Sequence, residues 1–131
     1  GLVQLDKLPE GNSRRGILTN RYRHNLKDSP VSIPFADQKP NTKSVYHILP
    51  VLLPPNTNRK KVIESLKENR IQASIHYPPF WDFSAYQGQF SPNDAPVTAE
   101  ICLRQLTLPL FPTMTEDEVD HVCSALLEAL K

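Results

Sequence analysis

Apolar positions at helical spacing occupy both ends of the chain, and apolar runs typical of β-strands lie between them. Leu2–Leu8 carries a leucine at every third position, which predicts the end of an amphipathic helix. We expect Pro9–Asn12 to break this helix and a second helix to follow it as far as about Leu26. The predicted apolar stripe of that second helix consists of Ile17, Leu18, Tyr22 and Leu26.

The first strand is predicted in Ser44–Leu53, where apolar residues fall on both faces, as is typical of a central strand. Pro50 lies inside this run and lacks a backbone donor. The strand therefore needs either a bulge or a register in which that donor is not used. Residues 28–43 are rich in Pro, Asp, Lys and Asn, which predicts a loop before the strand, with a short extended piece at Val31–Phe35.

Two further helices and two further strands are predicted to alternate after this point. Asn58–Asn69 predicts a helix in which the first residue is the N-cap, and Ile71–Tyr77 predicts the second strand. Pro96–Arg104 predicts a helix with proline in its first turn. Leu106–Leu110 then predicts a short third strand, which the following prolines end.

The last helix has the clearest start signal in the chain. Thr115 is followed three residues later by Glu118, which forms a capping box, and apolar residues recur after it at helical spacing. The order of elements is helix, helix, β, α, β, loop, α, β, α. This order predicts an α+β domain, with a small, mostly antiparallel sheet covered by helices.

Composition places the chain among globular proteins. Its 131 residues make one domain or part of a larger one, and 39% hydrophobic with 22% charged residues excludes a disordered chain. A net charge of +1 leaves no strong field for nucleic acid or an anionic membrane. No apolar run approaches the roughly 20 residues that span a bilayer, and no signal peptide is visible. We therefore expect neither a membrane nor a nucleic-acid partner.

The cysteines indicate the cellular compartment, and the first residues indicate whether the chain is complete. Cys102 and Cys123 lie on predicted helices without metal-binding spacing, which predicts two buried thiols in a reducing compartment, the cytoplasm. The chain begins at Gly1, inside an apolar helical pattern and without a capping residue. This beginning suggests a fragment of a longer protein.

Candidate chemistry concentrates in Ser74–Tyr86, which holds the only tryptophan and two of the four tyrosines. His76 and Tyr77 are the best polar candidates, although composition alone favours a hydrogen-bonded strand residue for His76 and a packing residue for Tyr77. The rings of Trp81 and Tyr86 fit a core, a ligand platform or a contact with a second subunit. The chain has no glycine-rich phosphate loop, no nucleophile elbow and no histidine pair at ligand spacing, so no metal site is predicted.

Four segments together resemble the C-terminal part of the DegT/DnrJ/EryC1/StrS family of pyridoxal-phosphate-dependent nucleotide-sugar aminotransferases. Ser44–Pro54 and Arg59–Pro79 resemble the family's strand–helix–strand region, and Leu106–Val119 is similar to its closing motif. Gly1–Leu8, with the arginines and tyrosine that follow, looks like its long interdomain helix. The resemblance covers nearly the whole chain in the family's order and spacing.

The resemblance implies a domain that is one part of an enzyme. Residues 1–26 would be the remnant of the interdomain helix and the helix after it, and residues 27–131 the C-terminal small domain. The family's Schiff-base lysine and most of its cofactor contacts lie in the missing N-terminal domain, so no catalytic residue is expected in this chain. Pyridoxal phosphate (PLP) would bind the full-length parent, a homodimer that moves an amino group from an amino acid to a keto-sugar nucleotide.

The same resemblance implies a role for the aromatic segment in the sugar-nucleotide pocket. His76 and Tyr77 match the family's His-Tyr-Pro pattern, and Trp81 and Tyr86 lie in the segment that shapes the pocket. Trp81 stands where many members have histidine, and Asp82 stands where a basic residue is common. The alternative hypothesis is a free-standing α+β binding or protein-interaction module derived from such an enzyme.

Overall fold

The computed structural model describes residues 1–35 and 42–131, so the middle of the predicted loop lies outside the described residues. Within these ranges, the chain forms four α-helices and two strands. Three single turns of 3₁₀-helix lie between the second and third α-helices, at Phe80–Asp82, Ser84–Tyr86 and Pro92–Asp94. In chain order the elements are α1 (Leu2–Leu26), β1 (Leu49–Leu52), α2 (Arg59–Glu68), α3 (Pro96–Arg104), β2 (Gln105–Leu108) and α4 (Glu116–Glu128).

The sheet is small and antiparallel, which confirms the α+β prediction. β1 pairs with β2 in the register that places Pro50 opposite Thr107. Single bridges extend the sheet on both sides, because Ser32 pairs with Leu52 and Ser74 pairs with Thr107. The Leu52 N–H donates to the Ser32 carbonyl at 2.8 Å. Since strand residues two apart point their N–H groups the same way, Pro50 nitrogen faces away from β2, and no bulge is needed.

The first strand is shorter than predicted, because its N-terminal half leaves the extended conformation. Tyr46 has a φ of 49°, in the left-handed region, and its N–H donates to the Ser44 side chain at 3.0 Å. Arg15 of α1 donates to the Val45 carbonyl at 3.3 Å. The segment before β1 is therefore bound to α1 instead of pairing in the sheet.

The predicted strand at Ile71–Tyr77 is reduced to the single bridge at Ser74, so that prediction is wrong in extent. Ser74 and Thr107 exchange two backbone hydrogen bonds of 3.1 and 2.8 Å. Two residues later, the His76 N–H donates to the side chain of Gln105 at 3.2 Å. A side-chain amide thus replaces the main-chain partner that a continued strand would use, and the ladder ends.

The break predicted at Pro9–Asn12 is also wrong, because α1 is one continuous helix that contains Pro9. Proline removes one backbone donor from the helix, and tertiary contacts hold the turns that follow. A Cβ at Gly11 would lie 3.4 Å from Pro112, and Arg14 donates to the Met114 carbonyl at 3.1 Å. Packing on the segment after β2 therefore outweighs the local helix-breaking signal.

Both predicted cap residues occupy the positions expected of them. The Asn58 side chain accepts from the Lys61 N–H at 3.2 Å at the start of α2. Thr115 and Glu118 form the reciprocal capping box of α4, with bonds of 3.2 Å to the Glu118 N–H and 2.7 Å to the Thr115 N–H. These hydrogen bonds involve residues three apart in sequence, which is why local pattern predicted them.

The core lies between the sheet and the helices α1, α2 and α4. Ile17 of the predicted stripe is exposed instead of buried. Cys123 is buried, and burial raises the pKa of its thiol to about 11, whereas Cys102 is only half-buried. The largest fully buried side chains are Leu18, Tyr22 and Leu26 of α1, Val51 and Leu53 in and after β1, Val62 and Leu66 of α2, Leu106 of β2, and Val119 and Leu126 of α4.

A polar cluster joins α1 to α4 beside this core. The Arg21 guanidinium donates to both carboxylate oxygens of Asp120, at 2.8 and 2.7 Å, and the Asn25 amide donates to the same carboxylate at 2.7 Å. Hydrogen bonds that favour the charged form lower a carboxyl pKa. The bonds from Arg21, and then from Asn25, hold the pKa of Asp120 at about 2.

We expect Asp120→Asn to lower the thermal midpoint at neutral pH, because Arg21 loses its paired acceptor. A carboxyl whose pKa is lowered by folding stabilises the fold above its ordinary pKa near 4, and this contribution disappears as pH falls toward about 2. Thermal melts from pH 7 to pH 2 measure the difference between the wild type and the variant. That difference should shrink below about pH 4.

The control for this prediction is Asp82→Asn, which changes an exposed carboxylate remote in sequence from both helices. We expect it to leave the thermal midpoint and its pH dependence close to those of the wild type. Equal pH profiles for the wild type and Asp120→Asn would show that this cluster does not stabilise the domain.

Candidate functional site

The aromatic segment starts where the third partner of the sheet ends, and a buried side chain fixes its first residues. Gln105 is 6% exposed, and its side-chain oxygen accepts from the His76 N–H at 3.2 Å. Its amide nitrogen donates to the Thr107 hydroxyl at 2.7 Å. Both ends of this amide are occupied, so its position is defined by the sheet. Gln105 thereby holds the backbone of His76 against β2.

The His76 and Tyr77 rings are in contact but have different surroundings. His76 is half-buried, and its Nδ1 lies 3.4 Å from the Ser74 hydroxyl. The Tyr77 ring meets the imidazole edge-on at a centroid distance of 5.1 Å, and 71% of this tyrosine is exposed. Cys102 of α3 lies beside this backbone, with its Sγ 3.8 Å from the Tyr77 carbonyl oxygen. His76 therefore faces a cleft, while Tyr77 presents its ring and hydroxyl outward.

Trp81 and Tyr86 are brought together by a residue that the sequence analysis did not single out. The Phe80 ring lies 5.1 Å from Trp81, 5.9 Å from Tyr86 and 5.1 Å from Phe90 in edge-to-face geometry. Such pairs stabilise one another beyond their area of contact. Trp81 is half-buried and Tyr86 is 44% exposed. The sequence identifies Phe80 only as one of several aromatic residues in this segment.

The cleft beside His76 has a volume of about 520 Å³ and collects residues from distant parts of the chain. His47 precedes β1, Arg70 follows α2, and His121 lies on α4. Three of the four histidines therefore line one cleft, although in sequence they are far apart. Apolar side chains complete the walls, among them Ile71, Leu108, Leu110, Phe111, Met114 and Val122.

The lysines among the described residues do not have the surroundings expected of a cofactor-binding lysine. A lysine that binds this cofactor needs desolvation or a cationic neighbour to lose its proton near neutral pH. Every lysine in the ranges 1–35 and 42–131 is exposed, and the cleft beside His76 contains none of them. In the same ranges, no group of three or more His, Cys, Asp or Glu residues is arranged to hold a metal ion.

Across the described parts of the chain, none of the helices combines the length and apolarity needed to cross a bilayer. The longest helix, α1, carries arginines along its second half. Its most exposed apolar residues lie near the N-terminus, where Leu2 is 80% and Leu5 is 61% exposed.

Comparison with known proteins shows similarity along the whole chain. The sequence profile of the DegT/DnrJ/EryC1/StrS aminotransferase family matches residues 1–127. The spore coat polysaccharide biosynthesis protein SpsC of Bacillus subtilis strain 168 is 32% identical over 138 aligned positions. That alignment covers 100% of this chain and 35% of SpsC.

Two solved structures superimpose closely on this chain. The PLP form of Spr1654 from Streptococcus pneumoniae matches with a TM-score of 0.88 and 25% identity, over 99% of this chain and 34% of that one. DesI, solved in the presence of its TDP-sugar product, matches with a TM-score of 0.86 and 26% identity, over 100% of this chain and 34% of DesI. The chain thus spans about a third of the length of these relatives. It belongs to the DegT/DnrJ/EryC1/StrS aminotransferase family.

Proposed function

We propose that this chain is the C-terminal domain of a PLP-dependent aminotransferase that acts on a keto-sugar nucleotide. The observation that carries the proposal is the family match over residues 1–127, in a chain that spans about a third of the length of its relatives. When bound to the parent enzyme, PLP supplies the electron sink for amino transfer. This domain supplies one wall of the substrate pocket, and the parent is a cytoplasmic homodimer that uses an amino-acid donor, glutamate.

His76, Tyr77, Trp81 and Tyr86 are the proposed substrate-binding residues. Gln105 fixes the His76 backbone, so the imidazole reaches a sugar hydroxyl from a defined position. The exposed Tyr77 offers both a ring face and a hydroxyl to the substrate. Trp81 and Tyr86, held around Phe80, provide a second apolar surface at the pocket mouth.

A chimera tests this function, because the domain covers about a third of its relatives. In the test, this chain replaces the corresponding C-terminal third of SpsC, and amino transfer from glutamate to a keto-sugar nucleotide is measured. We expect the chimera to be active, and we expect His76→Ala and Tyr77→Ala to lower kcat/KM by about tenfold or more, as loss of a substrate hydrogen bond does.

The controls separate a binding role from a folding defect. His24→Ala removes an exposed histidine of α1 outside the aromatic segment, and kcat/KM should stay near that of the unmodified chimera. The isolated chain mixed with PLP should show no absorbance band of a lysine-bound cofactor and no activity. A folded but inactive chimera would favour the free-standing binding module, as would a lysine-bound cofactor band in the isolated chain.

A further inference from the structure

Arg70 adopts a backbone conformation that arginine rarely takes. Its φ is 62°, in the left-handed region that glycine occupies without steric cost. The residue directly follows the C-cap of α2, where glycine is the commonest choice. Local strain of this kind persists where the surrounding structure compensates for it, and strained residues are concentrated at functional sites.

The Arg70 side chain lines the cleft beside His76 without a hydrogen-bonding partner among the described residues. In the ranges that the structure describes, no carboxylate or carbonyl accepts a hydrogen bond from its guanidinium. The guanidinium carries five N–H donors in a planar fork that matches phosphate and carboxylate groups. A strained arginine with such donors at the rim of a cleft is therefore available to an anionic ligand.

The remaining polar groups of the cleft are consistent with an anion. His47 is exposed. The Nε2 atom of His121 lies 3.2 Å from the Asn69 carbonyl oxygen, so that hydrogen bond does not use the other ring nitrogen. The carboxylate in this lining, Glu118, accepts a hydrogen bond of 2.7 Å from the Thr115 N–H of the capping box. The described lining thus holds one arginine and three histidines against a single carboxylate.

We propose that this cleft binds a phosphate group through Arg70, with the imidazoles of His47 and His76 as further donors. The apolar wall, which includes the 44% exposed ring of Phe111, suits the organic part of a phosphate ester. The proposal rests on the proposed function only for the source of the phosphate, which would be a sugar nucleotide. The cleft residues alone define the phosphate site.

The test is a titration of the chain with inorganic phosphate and, separately, with uridine diphosphate, at constant ionic strength. Proton–nitrogen NMR spectra follow the backbone amides and the imidazole nitrogens. We expect saturable shifts at Arg70, His47 and His76. Arg70→Gly should weaken phosphate binding by about tenfold or more, because a charge-assisted hydrogen bond is lost, while the thermal midpoint stays equal or rises.

Two further variants separate charge from backbone strain. Arg70→Lys keeps the positive charge and should retain part of the affinity. Asn56 also has a left-handed backbone conformation, with a φ of 64°, and lies outside the cleft lining. Asn56→Gly removes the backbone strain at that position and should leave phosphate binding unchanged. Tighter binding of uridine diphosphate than of phosphate supports the site and identifies a nucleotide as its source. Equal binding of the two supports the site for the phosphate group alone.

Shifts that do not saturate, or binding that Arg70→Gly leaves unchanged, would overturn the inference. Because phosphate binding is measured without the cofactor domain, that result would leave the transamination test of the chimera untouched. Conversely, an inactive chimera with intact Arg70-dependent phosphate binding would contradict the proposed function and leave this site in place.

Discussion

Replacing Gly16 by alanine is expected to destabilise the domain by up to about 2 kcal/mol, because the cost of about 1–3 kcal/mol for forcing a methyl group into a packed site exceeds the gain of about 0.5–1 kcal/mol in helix propensity. A Cβ at Gly16 would lie 2.9 Å from the nearest ring carbon of Tyr46. The ring cannot retreat freely, because the Tyr46 N–H is held by Ser44 and the preceding carbonyl by Arg15. Chemical denaturation followed by fluorescence or circular dichroism gives the free energy of unfolding.

Gly11→Ala is the matched control on the same helix. There the nearest neighbour of a new Cβ is a Pro112 side-chain carbon at 3.4 Å, an ordinary contact distance. Alanine is favoured over glycine inside a helix by about 0.5–1 kcal/mol, so this variant should be more stable than the wild type. If both variants gain stability, the contact between the Tyr46 ring and α1 is looser than the structure shows.

Gln105→Leu is expected to cost about 2–4 kcal/mol of unfolding free energy, because two hydrogen-bonding groups lose their partner at once. The affected groups are the His76 N–H and the Thr107 hydroxyl. Leucine fills much of the space that glutamine occupies but cannot form hydrogen bonds, so the loss reports mainly the polar contacts. Denaturation curves measure the stability, and the NMR signal of the His76 amide should shift.

A double-mutant cycle with Thr107→Val isolates the contact between the two side chains. In the Gln105→Leu background the Thr107 hydroxyl has already lost its 2.7 Å partner, so Thr107→Val should cost less there than in the wild type. Gln89→Leu, at an exposed position, serves as the control for glutamine removal and should be near neutral. Additive costs in the cycle would argue that Gln105 and Thr107 do not interact.

The α1 helix also shapes the wall of the cleft. The buried Tyr22 donates its hydroxyl to the Pro109 carbonyl at 2.9 Å, and Arg14 donates to the Met114 carbonyl at 3.1 Å. Burial raises the pKa of Tyr22, so its hydroxyl stays protonated and able to donate. The segment from Pro109 to Met114, which contributes to the cleft lining, is therefore bound to α1 by a hydrogen bond at each end.

Sequence pattern predicted the helix ends well where a helix end is set by hydrogen bonds between neighbouring residues. The caps at Asn58 and Thr115 were predicted because each uses partners three residues away. The α+β class followed from the order of elements. The family resemblance, carried by motifs spread along the chain, was confirmed by the family match over residues 1–127.

Contacts between residues far apart in sequence set the features that local pattern missed. Packing on Pro112 keeps α1 continuous past Pro9, and the Gln105 side chain ends the ladder at Ser74. No spacing rule indicated that His47, His76 and His121 share a cleft, because strand register and the packing of α4 bring them together. Hydrogen bonds within a turn depend on short sequence windows, whereas a binding surface is assembled from segments that meet only after the chain has folded.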